Sequence, residues 1–267
     1  MSPHAKVIVL RTAGTNCDQE TQFAFKYCGA LVESVHIHEL LSQKKNLNDY
    51  HILAIPGGFT YGDDIASGKI LANELRLWLG QDLKKFIDDR KLVIGICNGF
   101  QILVKAGILP ALDPVGQGGF SQEATLTTND SGKFEDRWIH LKPQGQSVWT
   151  QGLPGFLHLP VAHAEGKFIP RDDRVLKRLK EKNRIVFRYC TASGENPIYP
   201  ENPNGSVDHI AGVCDETGRI LGLMPHPERH FLFTQHPFWT RLEKRSPLGD
   251  GARIFQNGIN YVREKLL

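Results

Sequence analysis

Short apolar runs alternate with longer amphipathic stretches over the first third of the chain. Val7–Leu10, Leu31–Ile37, Ile52–Ile55 and Leu92–Ile96 read as strands. Most of them are apolar on both faces, as strands are in a parallel sheet covered by helices on either side. The spacing between them predicts a helix over Asp18–Tyr27, with Gly29 placed to terminate it. A longer helical region is expected over Ser67–Asp89, broken at Gly80. Strands separated by helices in this way predict an α/β fold with a mostly parallel central sheet.

After Pro110 the periodicity changes. Residues 121–141 read as two strands about a turn at Asn129–Gly132, and Ile185–Tyr189 as another strand. A hairpin is expected over 209–224 around the turn residues Asp215–Gly218. The chain closes with an amphipathic helix from Ala252, carrying Ile254, Phe255, Ile259 and Val262 on related faces. No repeat, low-complexity tract or long linker interrupts the pattern, so a single domain over 1–267 is expected, with the extra hairpins as additions to its sheet.

Composition narrows the class. Of 267 residues 40% are hydrophobic, and 32 basic side chains nearly balance 29 acidic ones, leaving a formal charge of +3. So small an excess, without a dense Lys/Arg block, argues against a nucleic-acid or membrane partner. No run approaches the roughly 18 apolar residues of a membrane span. The lead-in Met1–Lys6 has no apolar core of the signal-peptide kind. The 5 cysteines are scattered and odd in number, which points to a reducing, cytoplasmic setting.

The segment Gly95-Ile96-Cys97-Asn98-Gly99-Phe100-Gln101 carries the clearest chemistry. A buried strand runs into a cysteine with glycines two residues to either side, and a helix follows at once. This is the pattern of a nucleophile elbow with sulfur in place of oxygen. The helix amino terminus favours a thiolate there. A free cysteine is ordinarily a small packing residue, and that reading is kept for Cys28 and Cys214. Cys190 has no elbow setting either, and Cys17, in a loop expected at the same sheet edge, is the second candidate.

A thiol nucleophile needs a base, and the base an orienting partner. Among 11 histidines, His226 stands out in Pro225-His226-Pro227-Glu228, at the end of an expected strand. Glu228 is near enough in sequence to fix its tautomer. Strand ends converge on one crevice in such sheets, which sets Cys97 and His226 against a surface-turn reading. Gly57-Gly58 follows the third strand, so the amide of Gly58, with that of Asn98, is a candidate oxyanion hole. No G-x-x-x-x-G-K-[ST] or G-x-G-x-x-G loop and no zinc-type Cys/His spacing is present, so no nucleotide or metal site is expected in this chain.

Taken in order, Pro56-Gly57-Gly58, the Cys97 elbow with Gln101, and His226-x-Glu228 resemble the class I (triad) glutamine amidotransferases. More narrowly, Gly14–Asp18, Gly57–Asp64, Asn129–Phe134, Ala162–Gly166, Asn202–Ser206 and Met224–Arg229 are similar to the glutaminase subunits of phosphoribosylformylglycinamidine synthases. The resemblance implies a flavodoxin-like fold and a glutaminase. Cys97 would form a glutamyl thioester, His226 held by Glu228 would move protons, Gly58 and Asn98 would hold the oxyanion, and Gln101 would help bind glutamine. It also implies a separate large synthetase subunit, carrying ATP and magnesium, that uses the ammonia to convert formylglycinamide ribonucleotide in purine biosynthesis. A small bridging subunit is a further expected partner, and no cofactor is expected on this chain itself.

The competing readings are a glutaminase for another synthetase, a cysteine hydrolase on the same fold, and a non-catalytic glutamine-binding regulator. Residues 231–250 are longer than the compact family pattern. Their aromatics Phe231, Phe233, Phe238 and Trp239 either dock the synthetase or cover the domain's own core.

Overall fold

The computed structural model describes residues 4–112, 120–243 and 246–267. Met1–Pro3 of the lead-in and Lys244 and Arg245 of the aromatic tail, with the rest of 113–119, lie outside the described residues.

The apolar runs fold as their pattern predicts. The chain begins β1 (Lys6–Arg11), α1 (Asp18–Tyr27), β2 (Leu31–His36), a short α2 (Ile37–Leu41) and β3 (Ile52–Ile55). Gly29 follows α1 with φ +84°, the left-handed turn that ends a helix and that glycine adopts without strain. The expected long helix is two, α3 (Lys69–Trp78) and α4 (Gly80–Asp88), followed by β4 (Leu92–Ile96) and α5 (Asn98–Lys105).

The second half adds β5 (Ala124–Thr127), β6 (Glu135–Pro143), β7 (Leu157–His163), β8 (Lys167–Pro170), α6 (Asp173–Glu181) and β9 (Ile185–Cys190). The hairpin β10 (Ile210–Cys214) and β11 (Ile220–Leu223) and the final helix α7 (Ala252–Lys265) complete it.

The main sheet runs β2-β1-β3-β4-β11-β10-β9-β6-β7. Its first five strands are mutually parallel, and from β11 to β7 each neighbour is antiparallel. The strands around Asn129–Gly132 form as expected but do not pair with each other. β5 joins β8 in a separate two-stranded sheet, whereas β6 joins β7 and β9 in the main one. A turn brings two strands close in sequence, yet pairing is decided by which edge buries each apolar face.

β3 and β4 are buried throughout, and helices cover the sheet. α1 packs on β1 and α7, with Phe25 and Phe255 rings edge-to-face at 5.0 Å, while α3 packs on α5. The order 2-1-3-4 reverses the direction of the crossovers between β1 and β3. Right-handed crossovers then send α1 and α3 to opposite faces, and their departure opens a crevice beyond the carboxyl ends of β1 and β3. The loops there touch, through an isolated bridge between Thr15 and Gly58.

Candidate active site

Four strand ends meet at this crevice. Cys97 follows β4, His226 follows β11, Gly58 follows β3, and Cys17 closes the loop after β1. β4 and β11 are parallel neighbours, and the Cys97 amide donates to the Leu223 carbonyl at 2.8 Å, which fixes the two ends side by side.

Cys97 has φ +52° and ψ −105°, a conformation that an L-residue adopts only under constraint. The constraint is visible. A Cβ on Gly99 would collide with the Ile55 carbonyl, and one on Gly95 would sit 2.6 Å from the Gly99 oxygen. The two glycines thus let α5 start hard against β3 and β4, and the chain must turn sharply at Cys97. Its thiol donates to the Ala162 carbonyl at 3.6 Å.

The His226 ring is buried. Its Nδ1 donates to Glu228 Oε1 at 2.5 Å, and its Nε2 has no hydrogen-bond partner among the described residues. Burial by itself pushes the imidazole pKa down. The Glu228 carboxylate, the charge Cys97 carries when ionised, and the nearby sulfurs outweigh it, and hold the pKa well above the ordinary histidine value.

Cys17, the second candidate, lies in the same place. Its Sγ is 4.0 Å from His226 Nδ1, receives a hydrogen bond from Arg229 Nη2 at 3.1 Å, and donates to Asn16 Oδ1 at 3.2 Å. Burial pushes its thiol pKa up, more than His226 and Arg229 bring it down. Cys17 therefore stays a thiol near neutrality. Cys17, His226 and Glu228 could place three ligand atoms within 4.8 Å of one another. The shared Nδ1 is already committed to Glu228, and the Arg229 guanidinium on the sulfur opposes a cation there.

The other expected residues divide. Gly58 lines the cavity beside Cys97. Asn98 opens α5, where its backbone is next to the thiol, but its side chain faces inward, accepting from Thr60 N at 3.3 Å and donating to Gln101 Oε1 at 3.0 Å. Gln101 is buried with it and donates to the Glu165 carbonyl at 2.5 Å. Gln101 thus props the elbow from behind and is not among the residues lining the cavity.

Behind the elbow lies a polar network that the sequence reading did not assign. Lys105 donates to the Ser67 carbonyl at 2.6 Å and pairs with Glu165 at 3.3 Å, and Ser67 donates to Asp63 at 2.8 Å. It ties the 59–68 loop, which enters left-handed backbone at Tyr61, Gly62, Asp63 and Gly68, to α5. His163, at the end of β7, is held neutral by burial, its pKa pushed down to about 3. It accepts from Asn204 Nδ2 at 2.9 Å. The only hint in the sequence was ionisable residues amid small ones in Ala162–Gly166.

The aromatic tail divides between core and surface. Phe231 is fully buried, with Phe23, Tyr27 and Phe255 rings 5.1–5.9 Å away, so it covers the core. Phe238 and Trp239 remain 54% and 44% exposed.

On an open α/β sheet, a thiol presented from a strained elbow beside a carboxylate-backed imidazole is the equipment of an acyl-transfer enzyme with a cysteine nucleophile. Sequence comparison narrows that class. Residues 4–262 match the CobB/CobQ-like glutamine amidotransferase domain, and the chain belongs to that family. It is 47% identical over 261 residues to the phosphoribosylformylglycinamidine synthase subunit PurQ of Dehalococcoides mccartyi, covering 97% of this chain and 98% of that one. It is 41% identical to the subunit of the same name from Methanococcus maripaludis, over 97% and 99% of the two chains. Among solved structures it superposes on a chain of PurLQS from Thermotoga maritima with a TM-score of 0.72 and 28% identity, covering 97% of this chain and all of the other.

Proposed function

We propose that this chain is the glutaminase subunit of a phosphoribosylformylglycinamidine synthase, built as one glutamine amidotransferase domain over 1–267. The observation that carries the reading is the meeting of Cys97 with the His226–Glu228 pair at one sheet edge. The near-full-length similarity to PurQ subunits supports the choice of substrate.

Cys97 Sγ attacks the carboxamide carbon of glutamine, and the carbonyl oxygen becomes an oxyanion held by the amides of Gly58 and Asn98. His226 protonates the departing nitrogen, so ammonia leaves and a glutamyl thioester remains. A water then gives its proton to His226 and attacks the thioester carbon. Glutamate departs and the thiol is restored. The raised pKa of His226 suits the first step, since an amide nitrogen leaves only when protonated. Glu228 keeps Nδ1 protonated and Nε2 turned to the reaction, and Gln101 supports the elbow.

The ammonia is handed to a large synthetase subunit, where ATP and magnesium belong, with a small bridging subunit as a further partner. The 5 free thiols suit a cytoplasmic setting, and among the described residues no helix is long and apolar enough to cross a membrane. The test is ammonia release from glutamine by the reconstituted complex. Release that depends on the synthetase and disappears in Cys97→Ala supports the reading. Release that survives Cys97→Ala refutes it.

A further inference from the structure

The cavity over Cys97 contains two charged side chains besides His226 that the mechanism leaves unused. They are Asp136 and Arg229. Resting on the glutaminase reading above, we propose that these two residues are the specificity determinants for the amino-acid end of glutamine, Asp136 taking the α-ammonium and Arg229 the α-carboxylate.

Size agrees first. The cavity is about 230 Å³, below the roughly 300–1,000 Å³ of sites for drug-sized ligands and suited to one amino acid. Its walls are graded. Cys97 and His226 are buried, while the rings of Phe59 and Phe134, 6.2 Å apart and 42% and 49% exposed, stand at its open side. That order fits glutamine entering with its carboxamide inward, its methylene stem beside the rings, and its zwitterionic end in the mouth.

Register places Asp136 there. On β6 it is paired with Ala162 of β7, whose carbonyl accepts the Cys97 thiol. Asp136 is therefore one strand away from the nucleophile. It is exposed, and its side chain has no hydrogen bond or ion pair among the described residues. Its neighbours in sequence differ in this respect, because Glu135 is buried against Arg137 and Ser131. A carboxylate that lines a cavity and has no cationic partner within the chain is a ready acceptor for an ammonium group entering that cavity.

Arg229 reaches the mouth from the turn after His226. It is anchored by Cys17 at 3.1 Å and Glu20 at 3.3 Å, and its side chain is still 37% exposed. A planar guanidinium fixed at one edge presents its remaining donors to a carboxylate. Cys17 is then a positioning residue for Arg229, which accounts for a second thiol in the site. A carboxylate and a guanidinium brought to one cavity from separate elements match the two charges of a free α-amino acid, and reject glutamine inside a peptide, which has neither.

The test compares two thiol reagents on the full chain in complex with its synthetase. A diazoketone analogue of glutamine keeps the α-ammonium and α-carboxylate, whereas iodoacetamide has neither. In Asp136→Asn, labelling of Cys97 by the analogue is expected to slow about tenfold, the loss of one charge-assisted contact, with iodoacetamide labelling unchanged. KM for glutamine should rise by a similar factor with kcat held, and the wild type's preference for glutamine over N-acetylglutamine should shrink. Equal analogue labelling in Asp136→Asn and wild type, or slowing by both reagents alike, overturns the assignment while leaving the glutaminase reading intact. A wild type that the analogue does not label at Cys97 overturns both.

Discussion

His226 Nδ1 and Glu228 Oε1 are 2.5 Å apart, with side chains 2% and 0% exposed, and the two residues are separated by a single proline. Proline fixes its own φ, so the short turn leaves the carboxylate little choice but the ring beside it. The pair orients the imidazole and leaves its Nε2 without a hydrogen-bond partner among the described residues. His226→Ala should therefore lower ammonia release by about 10²–10⁴-fold, the usual worth of a positioned acid–base group. Glu228→Gln should cost less, since it removes the orienter and keeps the proton carrier. Equal losses in kcat would mean that Glu228 takes part in the chemistry directly.

The same pair makes stability depend on pH. His226 has its folded pKa raised above an unfolded value of about 6.5. Its contribution is thus fully present below that value and is lost as pH rises through the folded pKa. Urea unfolding should show Glu228→Gln costing more stability at about pH 6 than at about pH 9. A cost that grows with pH would contradict this sign.

Cys97 combines a thiol at the cavity with a strained backbone. Cys97→Ala should abolish glutamine hydrolysis and leave the fold intact. Cys97→Gly should be equally inactive, yet more stable than Cys97→Ala by about 1 kcal/mol, because glycine accepts φ +52° without strain. Thermal denaturation of the two variants checks this, and an alanine variant as stable as the glycine one would show that the strain is absent.

Lys105 sits behind the elbow with its side chain only 5% exposed, paired to Glu165 at 24%. Burial lowers its pKa more than Glu165 and Asp63 raise it. Removing one member of a buried pair costs roughly 3–5 kcal/mol. Lys105→Ala should cost less, about 2–3 kcal/mol, because Glu165 keeps some water. Chemical denaturation measures this directly, and a change below about 0.5 kcal/mol would place the network among neutral surface contacts.

Phe238 and Trp239 are exposed 10 and 11 residues beyond Glu228, as anchors of an interface would be. Replacing both by alanine should abolish co-purification with the synthetase and leave the melting temperature of the free chain unchanged. A normal complex would assign these rings to no interface, and a fall in melting temperature would assign them to the domain's own packing.

What the sequence determined by itself is what local physics controls. Apolar runs without alternation marked β1, β3 and β4, and helical periodicity with Gly29 bounded α1 at Asp18–Tyr27. Glycines at 95 and 99 marked the elbow, because only a residue without a Cβ fits where α5 meets the sheet. His226-x-Glu228 was legible because its two members lie within one turn. Tertiary structure alone decided which strands pair. The turn at Asn129–Gly132 joins β5 and β6, yet it sends them to different sheets. It also decided that Gln101 donates to Glu165 and does not line the cavity, and that Asp136 and Arg229 line the same cavity as Cys97. The division follows from range. Periodicity, capping and turn chemistry act over a few residues, whereas strand order and register are set by burying whole faces against distant parts of the chain.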